Sequence, residues 1–250
     1  MRLPQPPFRY FRVAGPDRIE WLQGQITQDL RLIPVGGWAQ CAALTPTGQM
    51  VADGAVHIFE NEVLLGLDRR ASDTASEILS RRIVMEDVEF QAVPDLVTSI
   101  IGDGEGLPAP HILGGCNDSF GSEKIDAEMS HDDYNIARIE AAVPLFGVDY
   151  DSKTLAMELG KHFVATRIAF GKGCYTGQEI VERIRSRGRT HRTWAGLRSA
   201  EPLEKVDGVR ITSSVLSPRL GHIALGFVPA DSAESGMQFG PATVVDLPFS

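Results

Sequence analysis

The most reactive side chain in this sequence is predicted to be a cysteine in the run KGCYTGQE, which begins at Lys172. Thr176 and Glu179 have the spacing of a capping box, which predicts that a helix starts at Gly177. Cys174 would then precede a helix N-terminus, where partial positive charge favours the thiolate, and Lys172 would add to this effect. The alternative is that Cys174 is a small buried loop residue, since free cysteine is among the most buried residue types.

A basic run follows the cysteine in a chain whose formal net charge is -9. It is made of five arginines and one histidine: Arg183, Arg185, Arg187, Arg189, His191 and Arg192. The first four arginines alternate with other residues, which predicts an extended ribbon with one charged face. Such a ribbon is a candidate docking site for anions or for an acidic partner protein. The alternative is a solvated strand face whose charge is balanced by surrounding acids.

The hydrophobic pattern of the N-terminal half predicts antiparallel strands with flanking helices. Asp17 follows a Gly-Pro turn and is predicted to cap a first helix. Apolar runs separated by turn residues predict five strands, over residues 39–44, 50–59, 63–67, 84–90 and 97–101. Helical spacing of apolar residues predicts a second helix over residues 71–83.

The second half is predicted to be more irregular before it returns to short strands. Residues 102–121 are rich in glycine and proline and are predicted to form a loop with short strands. A helix is predicted over 132–141 and a short helical piece over 158–163. After Arg192, short apolar runs punctuated by glycine and proline predict a small β barrel or sandwich.

The composition predicts a cytoplasmic protein that holds no metal ion by itself. Cys41, Cys116 and Cys174 are far apart, which argues against a disulfide framework and against a closed zinc or iron–sulfur site. The first residues show neither the apolar run of a signal peptide nor an Arg/Ser-rich presequence pattern, and no apolar run of about 18 residues occurs, so we expect an intracellular protein without a membrane span. The net charge of -9 argues against general affinity for nucleic acid or anionic membranes, because both carry negative charge.

Several segments together resemble one protein family. KGCYTGQE resembles the signature of the YgfZ-type folate-binding proteins, relatives of the aminomethyltransferase (T-protein) of glycine cleavage. Further segments resemble parts of the same family in the expected order: residues 15–30, 44–53, 138–144, 217–218 and 221–226. The match covers most of the chain and is weakest from about 102 to 130. Ala142 departs from the family's R-x-E-A-G-x-P pattern, which has glycine at this position.

The resemblance implies an α+β fold with two parts. An aminomethyltransferase-like folate-binding body of antiparallel sheets and helices would occupy residues 1–190, as two subdomains. A small C-terminal β-barrel-like domain would occupy residues 191–250. The folate pocket would lie in a central hole between the domains.

The same resemblance implies the roles of individual residues. Glu140 would match the carboxylate that binds the pterin ring, since a carboxylate can accept two parallel N–H bonds. The alternative is a surface helix carboxylate paired with Arg138 or a neighbour. Asp53 would match an acidic residue near the reactive nitrogens of the folate; the alternative is a turn or edge residue. Gln25 either faces the pocket or lies on the helix surface. From the charge of the arginine run, and not from the resemblance, Arg183 is the candidate to bind the glutamyl tail of the folate.

The function implied by the resemblance is tetrahydrofolate binding in support of iron–sulfur enzymes. Cys174 would be the reactive thiol, and Asp53 is the second candidate catalytic residue. The expected partners are folate and iron–sulfur enzymes or cluster-assembly proteins, with no nucleic acid and no membrane. Two alternatives stay open: an aminomethyltransferase that passes a one-carbon unit to tetrahydrofolate, and a non-catalytic folate sensor or scaffold.

Overall fold

The computed structural model of the protein describes residues 1–3, 6–93, 97–101, 106–112, 115–120, 128–188 and 190–250. Within these residues, helices and antiparallel strands are mixed and the strands form three sheets. The predicted α+β class is therefore confirmed. None of the helices in these ranges combines the length and the apolar composition of a membrane span.

The first sheet is built from five antiparallel strands of the N-terminal region. They are β1 (Phe8–Ala14), β2 (Trp38–Leu44), β3 (Met50–Ile58), β4 (Glu62–Asp68) and β5 (Glu89–Ala92), in the order β2-β3-β4-β1-β5. The strands predicted over 39–44, 50–59 and 63–67 are thus confirmed. The prediction of a strand over 84–90 is wrong for the first residues of this range, which form no strand. There the carboxylate of Glu86 accepts the N–H groups of Val84 and Met85 (2.9 and 3.0 Å), and this local turn replaces strand pairing.

Two helices, α1 (Arg18–Gln23) and α2 (Ser72–Ser80), pack against this sheet through a shared apolar core. The core is formed by buried side chains of the sheet and both helices, among them Val13, Trp21, Leu22, Val56, Leu65 and Leu79. Asp17 precedes α1 as predicted, but its side chain does not cap the helix. It accepts the backbone N–H of Asp87 instead (2.8 Å), and so joins the start of α1 to the turn before β5.

A second, three-stranded sheet is attached to β1 by a buried polar network. Its strands are β6 (Val97–Ile101), β7 (Leu107–Ala109) and β8 (Cys116–Phe120), in the order β6-β8-β7. Asp118 accepts hydrogen bonds from Tyr10 (2.7 Å) and Ser99, and lies 3.0 Å from Nε2 of His111. Burial opposes ionisation of Asp118, but His111 and the hydroxyl groups outweigh it, so the pKa of Asp118 lies below its ordinary value.

The remaining elements connect this body to a C-terminal sheet. Helices α3 (His131–Glu140), α4 (Gly160–Arg167) and α5 (Gln178–Arg187) come first, and 3-10 turns lie at Leu30–Leu32, Ala156–Glu158 and Ala230–Ser232. The strands are β9 (Arg192–Ser199), β10 (Arg210–Ser217), β11 (Gly221–Pro229), β12 (Gln238–Phe239) and β13 (Ala242–Val245), in the order β10-β11-β9-β13-β12. The expected C-terminal β domain is thus present, and within the described residues β10 and β12 form the edges of its sheet. The division into domains at residue 190 stays a prediction.

Candidate functional site

The loop that carries Cys174 leads directly into α5, which begins at Gln178. Gly177 makes the turn with a left-handed backbone (φ 89°), and a Cβ atom there would lie only 2.7 Å from the carbonyl oxygen of Thr45. The predicted helix is confirmed, but the predicted capping box is wrong because no side chain caps α5. Thr176 instead donates its backbone N–H to the carbonyl of Gly24 (3.0 Å). The left-handed backbone of Gly177, rather than a side-chain cap, therefore makes the turn that leads into α5.

Cys174 is exposed, whereas Cys41 and Cys116 are both buried. Burial raises the pKa of the Cys116 thiol to about 12 and that of Cys41 further still. Because a thiolate is the reactive form of cysteine, the two buried thiols are inert near neutral pH. The reading of Cys174 as a buried loop residue is therefore wrong. Its predicted reactivity stays a prediction.

The side chain of Lys172 holds the loop that carries Cys174 in place. Its side chain is buried, and its ammonium group donates hydrogen bonds of 2.6–2.7 Å to three backbone carbonyls, those of Gln23, Ile26 and Gln28. Burial lowers the pKa of Lys172 to about 8, so the group still carries its proton at neutral pH. All three N–H donors are occupied by the last residue of α1 and by the segment that follows it. Lys172 therefore has a clear structural role, beside its predicted effect on the Cys174 thiolate.

We expect Lys172→Met to lower the free energy of unfolding by about 2–4 kcal/mol, because each carbonyl left without a donor costs about 1–3 kcal/mol. Urea unfolding followed by tryptophan fluorescence measures the difference. Lys161→Met is the matched control, since Lys161 is exposed on α4, and it should change stability by less than about 0.5 kcal/mol. Equal stability of the two variants would contradict the anchoring role of Lys172.

Asp53 lies on β3, the second strand of the first sheet, where it is buried with Arg167. Its carboxylate accepts two hydrogen bonds from the guanidinium group, Nε to Oδ1 at 2.8 Å and Nη2 to Oδ2 at 3.1 Å. The reading of Asp53 as a turn residue is wrong, because it lies within β3 opposite Ala42 of β2. On the other side, pairing with β4 begins at Gly54, and the backbone N–H of Asp53 donates to the hydroxyl of Tyr150 (3.1 Å). Arg167 was not anticipated, since the short helical piece predicted over 158–163 in fact continues as α4 to this residue.

Glu140 is the last residue of α3 and joins this helix to the C-terminal sheet. Its two carboxylate oxygens accept hydrogen bonds from the hydroxyl of Ser217 (2.5 Å) and from Nη2 of Arg219 (3.2 Å). The alternative of a carboxylate paired with Arg138 or a neighbour holds in part: Arg138 binds Asp149, but Arg219 pairs with Glu140. Two residues further on, Ala142 has a left-handed backbone (φ 55°), which explains why glycine suits this position in the family pattern.

Arg138 belongs to a second buried ion pair at the same junction. Its guanidinium group donates to Asn135 (2.8 Å), Val143 (3.3 Å), Asp149 (2.9 Å) and Ser213 (2.8 Å). Ser213, on β10, in turn donates its hydroxyl to the other oxygen of Asp149 (2.7 Å). The network thus fastens α3 to the C-terminal sheet through groups that are almost fully buried.

The arginine run does not form the predicted ribbon, because Arg183, Arg185 and Arg187 all lie on α5. Ile180, Val181 and Ile184 supply a helical apolar face that decides the local structure. Successive arginines therefore point to different sides of the helix. Arg189 lies outside the described residues.

The two sides of α5 differ in how their arginines are held. Arg183 and Arg187, four residues apart, share one exposed side of the helix. Arg185, on the other side, pairs with Glu182 (2.8 Å) and lies 4.8 Å from the ring centroid of Phe170. The predicted role of Arg183 in binding the folate tail stays a prediction.

The predicted site residues are distributed over several places. Gln25 accepts a hydrogen bond from Arg82 (3.3 Å) and lines a cleft of about 370 Å³ whose ionisable side chains, including Asp17, are acidic. Four clefts lined by described residues have volumes of about 370 to 650 Å³, and none of these four is lined by Asp53, Glu140 or Cys174. Asp53 and Glu140 each have their own partners, and their assigned roles stay predictions.

Comparison with known proteins gives relatives in sequence. No family model matches the chain. The chain is 26% identical over 216 residues to the tRNA-modifying protein YgfZ of Serratia proteamaculans, and 25% identical over 218 residues to that of Yersinia enterocolitica. The resemblance to the YgfZ proteins is confirmed. The matches cover 71% and 72% of this chain but 64% and 65% of the two YgfZ proteins, so the chain spans slightly less than two thirds of their length.

Two further comparisons extend over nearly the whole chain. A putative chloroplastic transferase of Arabidopsis thaliana is 22% identical to it, over 92% of this chain and 65% of the transferase. The fold is similar to the crystal structure of the glycine cleavage system aminomethyltransferase T from Bartonella henselae, with a TM-score of 0.82 and 14% identity. That match covers 100% of this chain and 86% of the aminomethyltransferase. The expected aminomethyltransferase-like fold is thus confirmed.

Proposed function

We propose that this chain binds tetrahydrofolate and assists the assembly or repair of iron–sulfur clusters in client enzymes of the cytoplasm. The observation that carries the folate part is the placement of Glu140. It lies where α3 meets the C-terminal sheet, in the segment that resembles the pterin-binding segment of the YgfZ-type proteins. The sequence similarity to YgfZ proteins and the aminomethyltransferase-like fold support the same assignment.

The carboxylate of Glu140 has room for the hydrogen bonds that a pterin would donate. A carboxylate has about four acceptor sites, and Ser217 and Arg219 use one each. The side chain of Arg219 is 52% exposed, and an exposed ion pair is worth about 1 kcal/mol or less, so this arginine can be displaced. Glu140 therefore fits a ligand with two parallel N–H donors. Asp53 fits less well, because both of its oxygens already bind Arg167.

For Cys174 we propose a role in engaging a sulfur or iron atom of a client. Of the three thiols in the chain, that of Cys174 is exposed. It lies on a loop that the hydrogen bonds of Lys172 hold in place. One thiol alone does not complete a cluster site, so the contact would be shared with the partner. The bacterial relatives are named tRNA-modifying proteins, which supports an enzyme of tRNA modification as one client.

We expect tetrahydrofolate to quench or enhance the tryptophan fluorescence saturably when the protein is titrated under anaerobic conditions. Glu140→Gln should weaken this binding by about 10- to 100-fold, the loss that follows from removing charge-assisted hydrogen bonds. Glu182→Gln is the matched control, because Glu182 lies on α5 and pairs with Arg185 away from the Glu140 contacts. A folded protein without saturable binding, or equal weakening by both variants, would contradict the folate proposal.

The similarity of fold to an aminomethyltransferase favours one alternative, the transfer of a one-carbon unit to tetrahydrofolate. Incubation with an aminomethylated lipoyl carrier and tetrahydrofolate separates the two functions, because only a transferase releases ammonia with each turnover. Sustained ammonia release would replace the proposed supporting role with catalysis. Its absence, together with saturable folate binding, would leave the supporting role in place.

A further inference from the structure

A cleft of about 410 Å³ on the C-terminal sheet is lined by basic side chains. The order β10-β11-β9 brings together residues that are distant in sequence. Arg210 begins β10 and lies opposite Phe227 of β11, while Arg192 begins β9 and lies opposite Pro229 of β11. Arg192, Arg210 and Phe227 line the cleft, with His191 at its rim. We call it the arginine cleft.

Both guanidinium groups are held against one aromatic ring. The guanidinium carbon of Arg192 lies 4.5 Å, and that of Arg210 4.9 Å, from the centroid of the Phe227 ring. The ring itself is buried, with 3% of its surface exposed. Cation–π contacts of this length fix the planes of the two guanidinium groups while leaving their N–H edges available.

The donors of the two arginines are only partly used. Arg192 donates from Nε and Nη2 to Glu158 (3.2 and 3.1 Å), which leaves three of its five N–H groups. Arg210 makes no side-chain hydrogen bond within the described part of the chain. Burial raises the pKa of Asp151, but hydrogen bonds from Lys153 and Thr154 and the charge of Arg210 outweigh burial and leave this pKa lowered. Glu158 and Asp151 thus offset part of the charge of the two arginines, but no carboxylate lines the cleft itself, where the unused N–H groups can bind an anion.

We propose that the arginine cleft binds the phosphate group of a phosphorylated ligand. The fork of a guanidinium group matches two oxygens of a phosphate; Arg210 offers this fork, and Arg192 adds the N–H groups that Glu158 leaves unused. His191 adds a ring N–H donor to the lining. The volume of the cleft lies within the range of small-molecule sites, so the phosphate would carry a larger group. This site is separate from Glu140 and does not depend on folate binding.

Isothermal titration with inorganic phosphate and with pyrophosphate tests the proposal, and glutarate serves as a dicarboxylate of similar charge. We expect saturable binding of phosphate and tighter binding of pyrophosphate. Arg210→Gln should weaken both at least tenfold, and Arg210→Lys should give an intermediate loss because the charge stays but the fork is removed. Arg187→Gln, an exposed arginine of α5 outside the cleft, should leave binding unchanged.

The NMR signals of the arginine Nε–H groups supply a second readout. Phosphate should shift the signals of Arg192 and Arg210 and leave that of Arg187 in place. Tighter binding of glutarate than of phosphate would overturn the assignment of ligand class. Absence of saturable phosphate binding, or equal weakening by Arg187→Gln, would overturn the site itself. Unchanged tetrahydrofolate binding by Arg210→Gln would confirm that the two sites are independent.

Discussion

Asp53→Ala is expected to lower the free energy of unfolding by about 3–5 kcal/mol, since removal of one partner leaves a buried charge without compensation. Arg167 would keep its guanidinium group in the interior, with 2% of its surface exposed and no carboxylate beside it. The Phe163 ring, 4.6 Å from the guanidinium carbon, offers only weak compensation. Urea unfolding of the variant and of the wild type measures the loss.

Two controls separate the ion pair from other effects at Asp53. Asp207→Ala changes an exposed aspartate and should shift stability by less than about 0.5 kcal/mol. Replacement of both Asp53 and Arg167 by leucine should cost less than the sum of the single replacements, by about 0.5–3 kcal/mol. Additive losses would contradict the coupling seen in the structure.

This result bears on how function is assigned to Asp53. A loss of activity in Asp53→Ala would follow from unfolding as well as from a missing catalytic group. Asp53→Asn keeps the shape and one acceptor oxygen of the side chain. A catalytic role for Asp53 therefore requires that Asp53→Asn is folded and inactive.

Arg138→Leu should cost a similar 3–5 kcal/mol, because Asp149 would be left buried and charged. The effect should be concentrated at the junction of α3 with β10, since Ser213 would lose one of the groups that hold it. Hydrogen exchange followed by mass spectrometry measures this directly. We expect faster exchange in β10 and in the last turn of α3, with the first sheet unchanged.

The control for Arg138→Leu is a surface arginine of another helix. Arg81 pairs with Glu77 at 3.6 Å, and both side chains are at least 70% exposed. Such pairs contribute about 0–1 kcal/mol, so Arg81→Leu should leave unfolding and exchange close to those of the wild type. Uniformly faster exchange in Arg138→Leu, rather than a change confined to the junction, would contradict a role in fastening the C-terminal sheet.

Local sequence patterns predicted the elements well where one signal dominated. The strands β2, β3 and β4 follow from apolar runs between short turns, and α5 follows from the segment after Gly177. Prediction failed where two local signals competed. Alternating arginines suggested a ribbon, but the apolar spacing of Ile180 and Ile184 on the same segment decided for a helix.

The partners of the site residues could not be predicted from the sequence. Asp53 and Arg167 are 114 positions apart, and Glu140 and Ser217 are 77 apart. Such pairs leave no periodicity that a short window detects. The three carbonyls that bind Lys172 are backbone atoms, which every residue carries, and no residue type marks them. The motif around Cys174 predicted the similarity to the YgfZ proteins, but not the contacts that support the loop.

The hydrogen bonds of Lys172 also decide at which pH the reactivity of Cys174 should be measured. The pKa of this ammonium group is lowered to about 8, so alkaline buffer removes a proton and leaves two N–H donors for three carbonyls. Thiol reagents are commonly used at such pH to generate thiolate. Between pH 7 and 9 the buried ammonium group therefore loses its charge, and the electrostatic surroundings of the loop change with it. Reaction rates of Cys174 compared across this range include that contribution of Lys172. The Lys172→Met variant, which has no titrating group at this position, measures how large the contribution is.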